Sequence, residues 1–475
     1  MSFTLIISVI ASYFLLLILI SYYTGKSDSN SSFFLGDRQS PWYIVAFGMI
    51  GTTLSGVTFI SVPGKVAADS FAYMQMTFGF FVGYIFIATI LIPLYYRLNL
   101  TSIYGYLKTR FGNYSYKTGS SWFLISRMMG ASTRLFVVST VLHNYIFAPL
   151  GLHFLVTVIV TIALIWIYTF RSGIKTIIWT DTLQTLFMLI AVGTSIYLIF
   201  GNMGLDFSSF VSKIDEKGYS KIFFWEGKQH FFKQFFAGVF IAIAMTGLDQ
   251  DMMQKNLSCR NKKESQKNVY WFSATLVIVN LIFLSLGALL YLFAEENNII
   301  PTADGLFPEV ALNGGLGIGV GIVFILGLIA AAYSSADSAL TSLTTSFCVD
   351  ILDFHEKEDR KQVQTRKWIH LMFSGLLVIG IFIIQQIGDP SIIDTLFSLA
   401  GYTYGPLLGM YAFGMMTKYS VQDKFVPYLT ILSPILTFII VSNSKQWFNY
   451  EFSFELLILN GVITFLGLYM LKIKH

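Results

Sequence analysis

The chain is laid out as long apolar runs separated by short polar stretches. Runs of about 20 residues, long enough to cross a bilayer as helices, fall near 4–23, 41–63, 73–96, 119–147, 151–169, 177–200, 232–252, 268–294, 313–345, 368–387, 391–417, 424–442 and 453–472. This predicts an all-α polytopic membrane protein with about thirteen transmembrane helices. Most of the runs read as plain hydrocarbon, but the second does not. It carries Gly51, Thr52, Thr53, Ser55, Gly56 and Thr58 within two turns. Glycine weakens a helix and lets other groups approach the backbone. Unwound backbone at membrane depth is tolerated only where it faces protein or a cavity. The seventh run has a similar interruption at Met245-Thr246-Gly247.

The two interrupted segments lie five apart. Five is odd, so the second enters the membrane from the opposite side. That spacing predicts a 5+5 inverted repeat with two discontinuous helices. Residues 41–200 form the first repeat and 232–417 the second. The segments at 4–23 and 424–472 are peripheral, and 1–475 is one integral membrane transporter domain. The first run lacks a basic start and a small-residue cleavage site, so it reads as a retained span.

Composition agrees. Hydrophobic residues make up 55% and charged residues 12%, against about 25% charged in a soluble domain. Loop cations set the orientation. One side holds Lys26, Arg38, Arg97, Lys108, Arg110, Lys117, Arg171, Lys175, the 255–267 and 357–367 clusters, Lys418, Lys424, Lys472 and Lys474. The other holds Lys65, Lys213, Lys217, Lys221, Lys228, Lys233 and Lys445. The roughly threefold excess predicts an outside N-terminus and a cytoplasmic C-terminus in the cell membrane. The net charge of +5 is then topological and gives no reason to expect nucleic acid. Cys259 and Cys348 both fall on the inner side and imply no disulfide framework. The 201–231 loop mixes Lys, Asp and Glu and predicts a short surface element.

Candidate chemistry concentrates in the ninth segment, at Ala330-Ala331-Ala332-Tyr333-Ser334-Ser335-Ala336-Asp337-Ser338. Hydroxyls alone serve helix packing well enough. An ionisable residue at this depth marks a functional site, and an oxygen-only donor set suits a hard cation. Asp181, early in the sixth segment, is either a helix cap or part of such a site. Arg134 sits near the middle of the fourth segment, with Arg127 seven residues earlier on about the same face. Each either pairs with a membrane carboxylate or meets a substrate anion. Asp249 and Asp251 follow the seventh-segment interruption and cap the next half-helix or act at a gate. His143 stands alone and reads as packed. The sequence has no Walker loop, His-Glu-x-x-His motif or nucleophile elbow, so nothing points to an enzyme.

Five stretches carry a resemblance: Leu54-Ser55-Gly56-Val57-Thr58-Phe59-Ile60-Ser61-Val62-Pro63; Leu100 to Leu107 leading to Arg110-Phe111-Gly112; Gly173-Ile174-Lys175 with Trp179-Thr180-Asp181 and Gln184; Gly247-Leu248-Asp249-Gln250 leading to Gln254-Lys255; and Ala330 to Ser335. In these, over nearly its whole length, the chain resembles the sodium:solute symporter family. The resemblance implies a LeuT-type fold and Na⁺ as coupling ion. It implies a main sodium site from the Gly51, Leu54 and Ala331 carbonyls and the Ser334 and Ser335 hydroxyls. It also implies a second site at Asp181, Ser334 and Ser338, with Asp337 where a serine is typical.

Galactose-type members use acidic and amide residues after the first break and an eighth-segment lysine. Val57 and Thr58 stand at the first, and the eighth segment has no lysine in its body. Sialic-acid-type members use hydroxyls on the broken helix, matched by Thr53, Ser55 and Thr58, and a fourth-segment arginine, matched in segment by Arg134. Asp249 joins this substrate set. The expected function is sodium-coupled import of a small organic anion or zwitterion by alternating access, by a chain plausibly monomeric. The alternatives are a proton-coupled carrier of the same fold and a sodium/sugar symporter.

Overall fold

The computed structural model describes residues 3–24, 30–169, 173–300, 302–354, 360–387 and 392–473. Lys26, Arg171, Lys357 and Lys474, four of the loop cations counted above, lie outside the described residues. Helices stand over every predicted run, from Phe3–Thr24 to Leu456–Met470. Among the described residues, seven are long and apolar enough to cross a membrane alone, or up to ten if each bent pair is one span. One bent pair is the hairpin of the fourth and fifth segments, Asn113–Leu150 and Phe154–Thr169, turned by 120°. The other two are the predicted discontinuous helices.

The second segment is Trp42–Thr53 and Gly56–Gly64, bent by 55°. The break falls at Leu54 (φ −82°, ψ 58°) and Ser55 (φ −58°, ψ 175°). In an unbroken helix the Gly51 and Leu54 carbonyls would accept from the Ser55 and Thr58 N–H groups. Here the chain leaves the helical path between them, and neither bond forms. The seventh segment is Phe231–Gly247 and Gln250–Leu257, bent by 65°. Its break comes slightly later than the glycine suggests. Ile243–Gly247 stays coiled as a π turn, and the non-helical residues are Leu248 and Asp249.

Close approach explains several small residues. The third and seventh segments pack at Gly79 and Gly83. A Cβ on Gly79 would stand 2.1 Å from the Phe235 carbonyl oxygen, and one on Gly83 would stand 2.6 Å from the Val239 carbonyl oxygen. The sixth segment, Gly173–Asn202, packs along the ninth, Ile318–Ile351, and against the second. The 201–231 loop forms the expected surface element, Phe207–Glu216. Asp206 caps it by accepting from the Ser209 N–H at 2.7 Å.

Two residues counted as loop cations are buried. Lys255 lies on the helix that continues past the seventh-segment break, 1% exposed, and Arg366 is fully buried. Arg366 lies over the Phe33 ring and donates to Asn30 Oδ1 at 2.9 Å. Both leave the loop count, and the excess on that side remains large. His143 is packed as read, with its ring edge-on to Phe154 and Nδ1 at 3.1 Å from Thr157 Oγ1.

Candidate functional site

The second, sixth, seventh and ninth segments meet at the first break. Gly51 is required there. Its N–H donates to Thr185 Oγ1 at 3.0 Å, and an added Cβ would come within 2.2 Å of that oxygen. Across the break, Ser335 Oγ donates to the Thr52 carbonyl at 3.2 Å, and Thr52 Oγ1 is 3.3 Å from Ser334 Oγ. Ser334 and Ser335 of the expected main site therefore meet Thr52, between the expected Gly51 and Leu54 carbonyls on the broken helix, and Ala331 lies one turn before Ser334 on the facing helix; all are buried. The donors are oxygen throughout, the set that suits a hard monovalent cation.

Asp181 is not a helix cap, since it sits eight residues into the Gly173–Asn202 helix. Both of its oxygens are engaged. Oδ1 accepts from Ser334 Oγ at 2.6 Å. Oδ2 accepts from Thr52 Oγ1 at 3.1 Å and from Lys255 Nζ at 2.6 Å. Lys255 also donates to Thr52 Oγ1. The ammonium thus lies beside Asp181, where the sequence reading expected a second sodium ion. Sequence reasoning missed Lys255, because a lysine in the loop-like stretch 255–267 looks like a topology signal. The one available clue was its place in the quoted Gln254-Lys255 stretch.

Asp337 faces the other way, toward the first and fifth segments. Its carboxylate accepts from the Tyr168 hydroxyl at 3.0 Å and from the Ser338 N–H at 2.6 Å. The Tyr13 hydroxyl, the Gln184 amide and Ser338 Oγ are buried polar groups beside it without hydrogen-bond partners of their own. Asp181 and Lys255 thus form a buried ion pair beside the first break, and Asp337 lies apart from it, against Tyr168.

A cavity of about 70 Å³ adjoins the break, lined by Thr53, Ser55, Thr58, Arg134, Tyr84 and Thr246 among others. Four of the five expected substrate residues therefore converge on it. Asp249 does not line it. Asp249 caps Gln250–Leu257 by accepting from the Asp251 and Met252 N–H groups at 2.8 and 3.2 Å, and it accepts from the Tyr404 hydroxyl.

The two arginines divide the alternatives left open for them. Arg127 is ion-paired with Asp251 and stands 4.0 Å from Asp249. Arg134 makes no ion pair with a carboxylate among the described residues, and its buried Nε has no partner.

The cavity sits beneath a vestibule of about 480 Å³ lined by Lys65, Asp69, Lys228, Asp394 and Tyr402. Only Tyr73, Ile393 and Phe397 are common to the two. Toward the opposite end, the Arg127–Asp251 and Tyr404–Asp249 contacts stand as a polar seal. The cavity thus joins the vestibule through a narrow throat.

Known proteins are similar to this chain in sequence and fold. The chain is 25% identical over 412 residues to the sodium/sialic acid symporter NanT of Aliivibrio fischeri, covering 84% of this chain and 80% of that one. It is 24% identical over 423 residues to the sodium/sialic acid symporter SiaT of Proteus mirabilis, covering 84% and 81%. The solved structure of a Na⁺-coupled sialic acid symporter, substrate-bound and outward-open, superposes with a TM-score of 0.82 at 20% identity, over 98% of this chain and 97% of that chain. That match makes the fold LeuT-type. The model of the sodium:solute symporter family matches residues 33–421, most of the chain, and the protein belongs to that family.

Proposed function

We propose that this symporter couples sodium to the uptake of a small organic anion of the sialic acid class, by alternating access. Family membership and the sodium-coupled relatives make it a sodium-driven carrier of an organic solute. The observation that carries the anionic reading is Arg134. Half-buried, with a buried Nε that has no partner and with no carboxylate partner among the described residues, it lines a cavity whose other walls offer Thr53, Ser55 and Thr58 hydroxyls. A guanidinium held this way makes a planar two-point contact with a carboxylate. Hydroxyls on the broken helix then meet the polar groups of the solute. The sodium/sugar alternative lacks such support at Val57 and Thr58.

Sodium is assigned to the Gly51, Leu54 and Ala331 carbonyls with the Ser334 and Ser335 hydroxyls. Binding there joins the second segment to the ninth and holds the adjoining hydroxyls in the substrate-competent arrangement. Coupling follows when sodium binds this arrangement more tightly than the inward-facing one. Lys255 takes the second cation position in this reading, which leaves one sodium bound at the break. We assign the vestibule to the outer face, with the N-terminus outside and the C-terminus in the cytoplasm, following the loop cations. Residues 41–200 and 232–417 are the two inverted repeats.

The test is a thermal-shift screen of the purified protein with sialic acids, amino acids, monocarboxylates and sugars, each with sodium or choline. A ligand that binds only the folded state raises its stability by mass action. Stabilisation by a sialic acid in sodium alone is expected. Stabilisation by neutral sugars only would overturn the anionic assignment.

A further inference from the structure

Where the third segment ends at Arg97, the surface holds an open groove of about 890 Å³. It lies away from the vestibule and the central cavity and shares no lining residue with either. The last turns of the third segment form one wall, through Ile90, Pro93 and Leu94. The Gly105–Arg110 helix and Gly414-Met415 at the end of the eleventh segment form the other. Arg97, Arg110 and Lys262 all line it, and no carboxylate does among the described residues. Arg110 is fixed in place. Its Nε donates to the Gly414 carbonyl at 3.0 Å, and Nη2 donates to the Thr417 and Tyr419 carbonyls at 2.8 and 3.0 Å. Arg97 and Lys262 are exposed.

The depths match a lipid. Arg97 and Ile90 are seven residues apart, about 10 Å along a helix. The headgroup layer on each side of a bilayer is about 5–7 Å thick. With the cations at headgroup level, exposed Ile90 reaches the acyl chains. The charge selects among lipids. Three positive charges without a carboxylate favour a net-negative headgroup, whereas a zwitterionic one brings its own cation beside theirs. The loop-cation reading also puts this end at the cytoplasmic leaflet, where anionic lipids concentrate.

We propose that this groove binds one anionic phospholipid. Its phosphate lies among Arg97, Arg110 and Lys262, and an acyl chain lies along Ile90, Pro93, Leu94 and Met415.

The experiment uses the full chain, purified in detergent and incubated with phosphatidylglycerol or phosphatidylcholine. Bound lipid is counted by native mass spectrometry. The wild type is expected to retain phosphatidylglycerol in preference to phosphatidylcholine. The double variant Arg97→Gln/Lys262→Gln should lose about thirtyfold in phosphatidylglycerol affinity, from two cations near an anionic surface. Lys213→Gln/Lys217→Gln, on the opposite loop, should lose nothing. Ile90→Trp fills the apolar wall with the cations intact and should also release the lipid. Glycerol 3-phosphate, the headgroup without chains, should neither bind nor compete at equal concentration. Equal retention of the two lipids by the wild type would overturn the proposal, even if a variant fails to fold. So would undiminished phosphatidylglycerol in a well-folded Arg97→Gln/Lys262→Gln variant, or glycerol 3-phosphate binding as tightly as the lipid.

Discussion

Replacing Lys255 with methionine tests how the charges around the first break are balanced. Methionine keeps most of the side-chain volume and removes the ammonium. Lys255 is 1% exposed and Asp181 fully buried, so water can replace neither partner. The substitution removes the 2.6 Å contact to Asp181 and the bond to Thr52. It also leaves the Asp181 carboxylate uncompensated. Breaking one side of a buried pair costs about 3–5 kcal/mol, and two charge-assisted hydrogen bonds at about 1.5–3 kcal/mol each give about 3–6 kcal/mol, an overlapping range. The assay is thermal unfolding of the purified protein in choline and over a sodium series. In sodium-free buffer Lys255→Met should melt well below the wild type. Sodium should recover more stability in the variant than in the wild type, because a second ion now fits beside Asp181 and Ser334. At a hundredfold excess over its dissociation constant, such an ion returns about 2.7 kcal/mol. The double variant Lys255→Met/Asp181→Asn removes both charges. It should recover most of the stability without the added sodium response. A Lys255→Met protein as stable as the wild type in sodium-free buffer would refute the reasoning.

Three further outcomes are expected. Ser334→Ala and Ser335→Ala should each raise the sodium concentration needed for half-maximal uptake, since each removes one oxygen ligand; unchanged sodium activation in both, at normal expression, would contradict the site. Arg134→Lys should weaken substrate binding about ten- to a hundredfold, the loss of one charge-assisted hydrogen bond, while sodium-dependent stabilisation without substrate stays as in the wild type; normal affinity for an anionic substrate would remove Arg134 from the site. Gly51→Ala should abolish transport and lower expression, because its Cβ would stand 2.2 Å from Thr185 Oγ1; the pair Gly51→Ala/Thr185→Ala should recover expression, and failure of that rescue would place the clash elsewhere.

The segments and the first break were legible because both are local. A run of apolar residues is a helix in lipid whatever surrounds it, and Gly51 to Gly56 has too many small and polar residues to stay wound. The second break was expected at Met245 to Gly247, just before its actual place, because Gly247 looks like a helix breaker. In the structure Ile243–Gly247 remains coiled as a π turn, and the chain departs from the helix only at Leu248, where Asp249 can cap the next helix. The hydroxyls of the ninth segment and Asp181 were legible because polar groups in lipid need a reason. Their partners were not. Lys255 reaches Asp181 across 74 residues, Tyr404 reaches Asp249 across 155, and Tyr168 reaches Asp337 across 169. No spacing rule along one helix links such residues. The arginines show the same limit. Their shared face could be read from a seven-residue interval, but which one is paired depends on Asp251 arriving from another helix.

The central claim is that sodium drives accumulation of a small organic anion through the Arg134 cavity. Proteoliposomes made with sodium-free lumen and placed in sodium buffer measure it directly, with labelled N-acetylneuraminic acid as the solute. The account predicts that the lumenal concentration rises above the external one, and that accumulation vanishes when choline replaces sodium at the same pH. Equal accumulation in sodium and choline, or equilibration that never exceeds the external concentration with any organic anion tried, would contradict it.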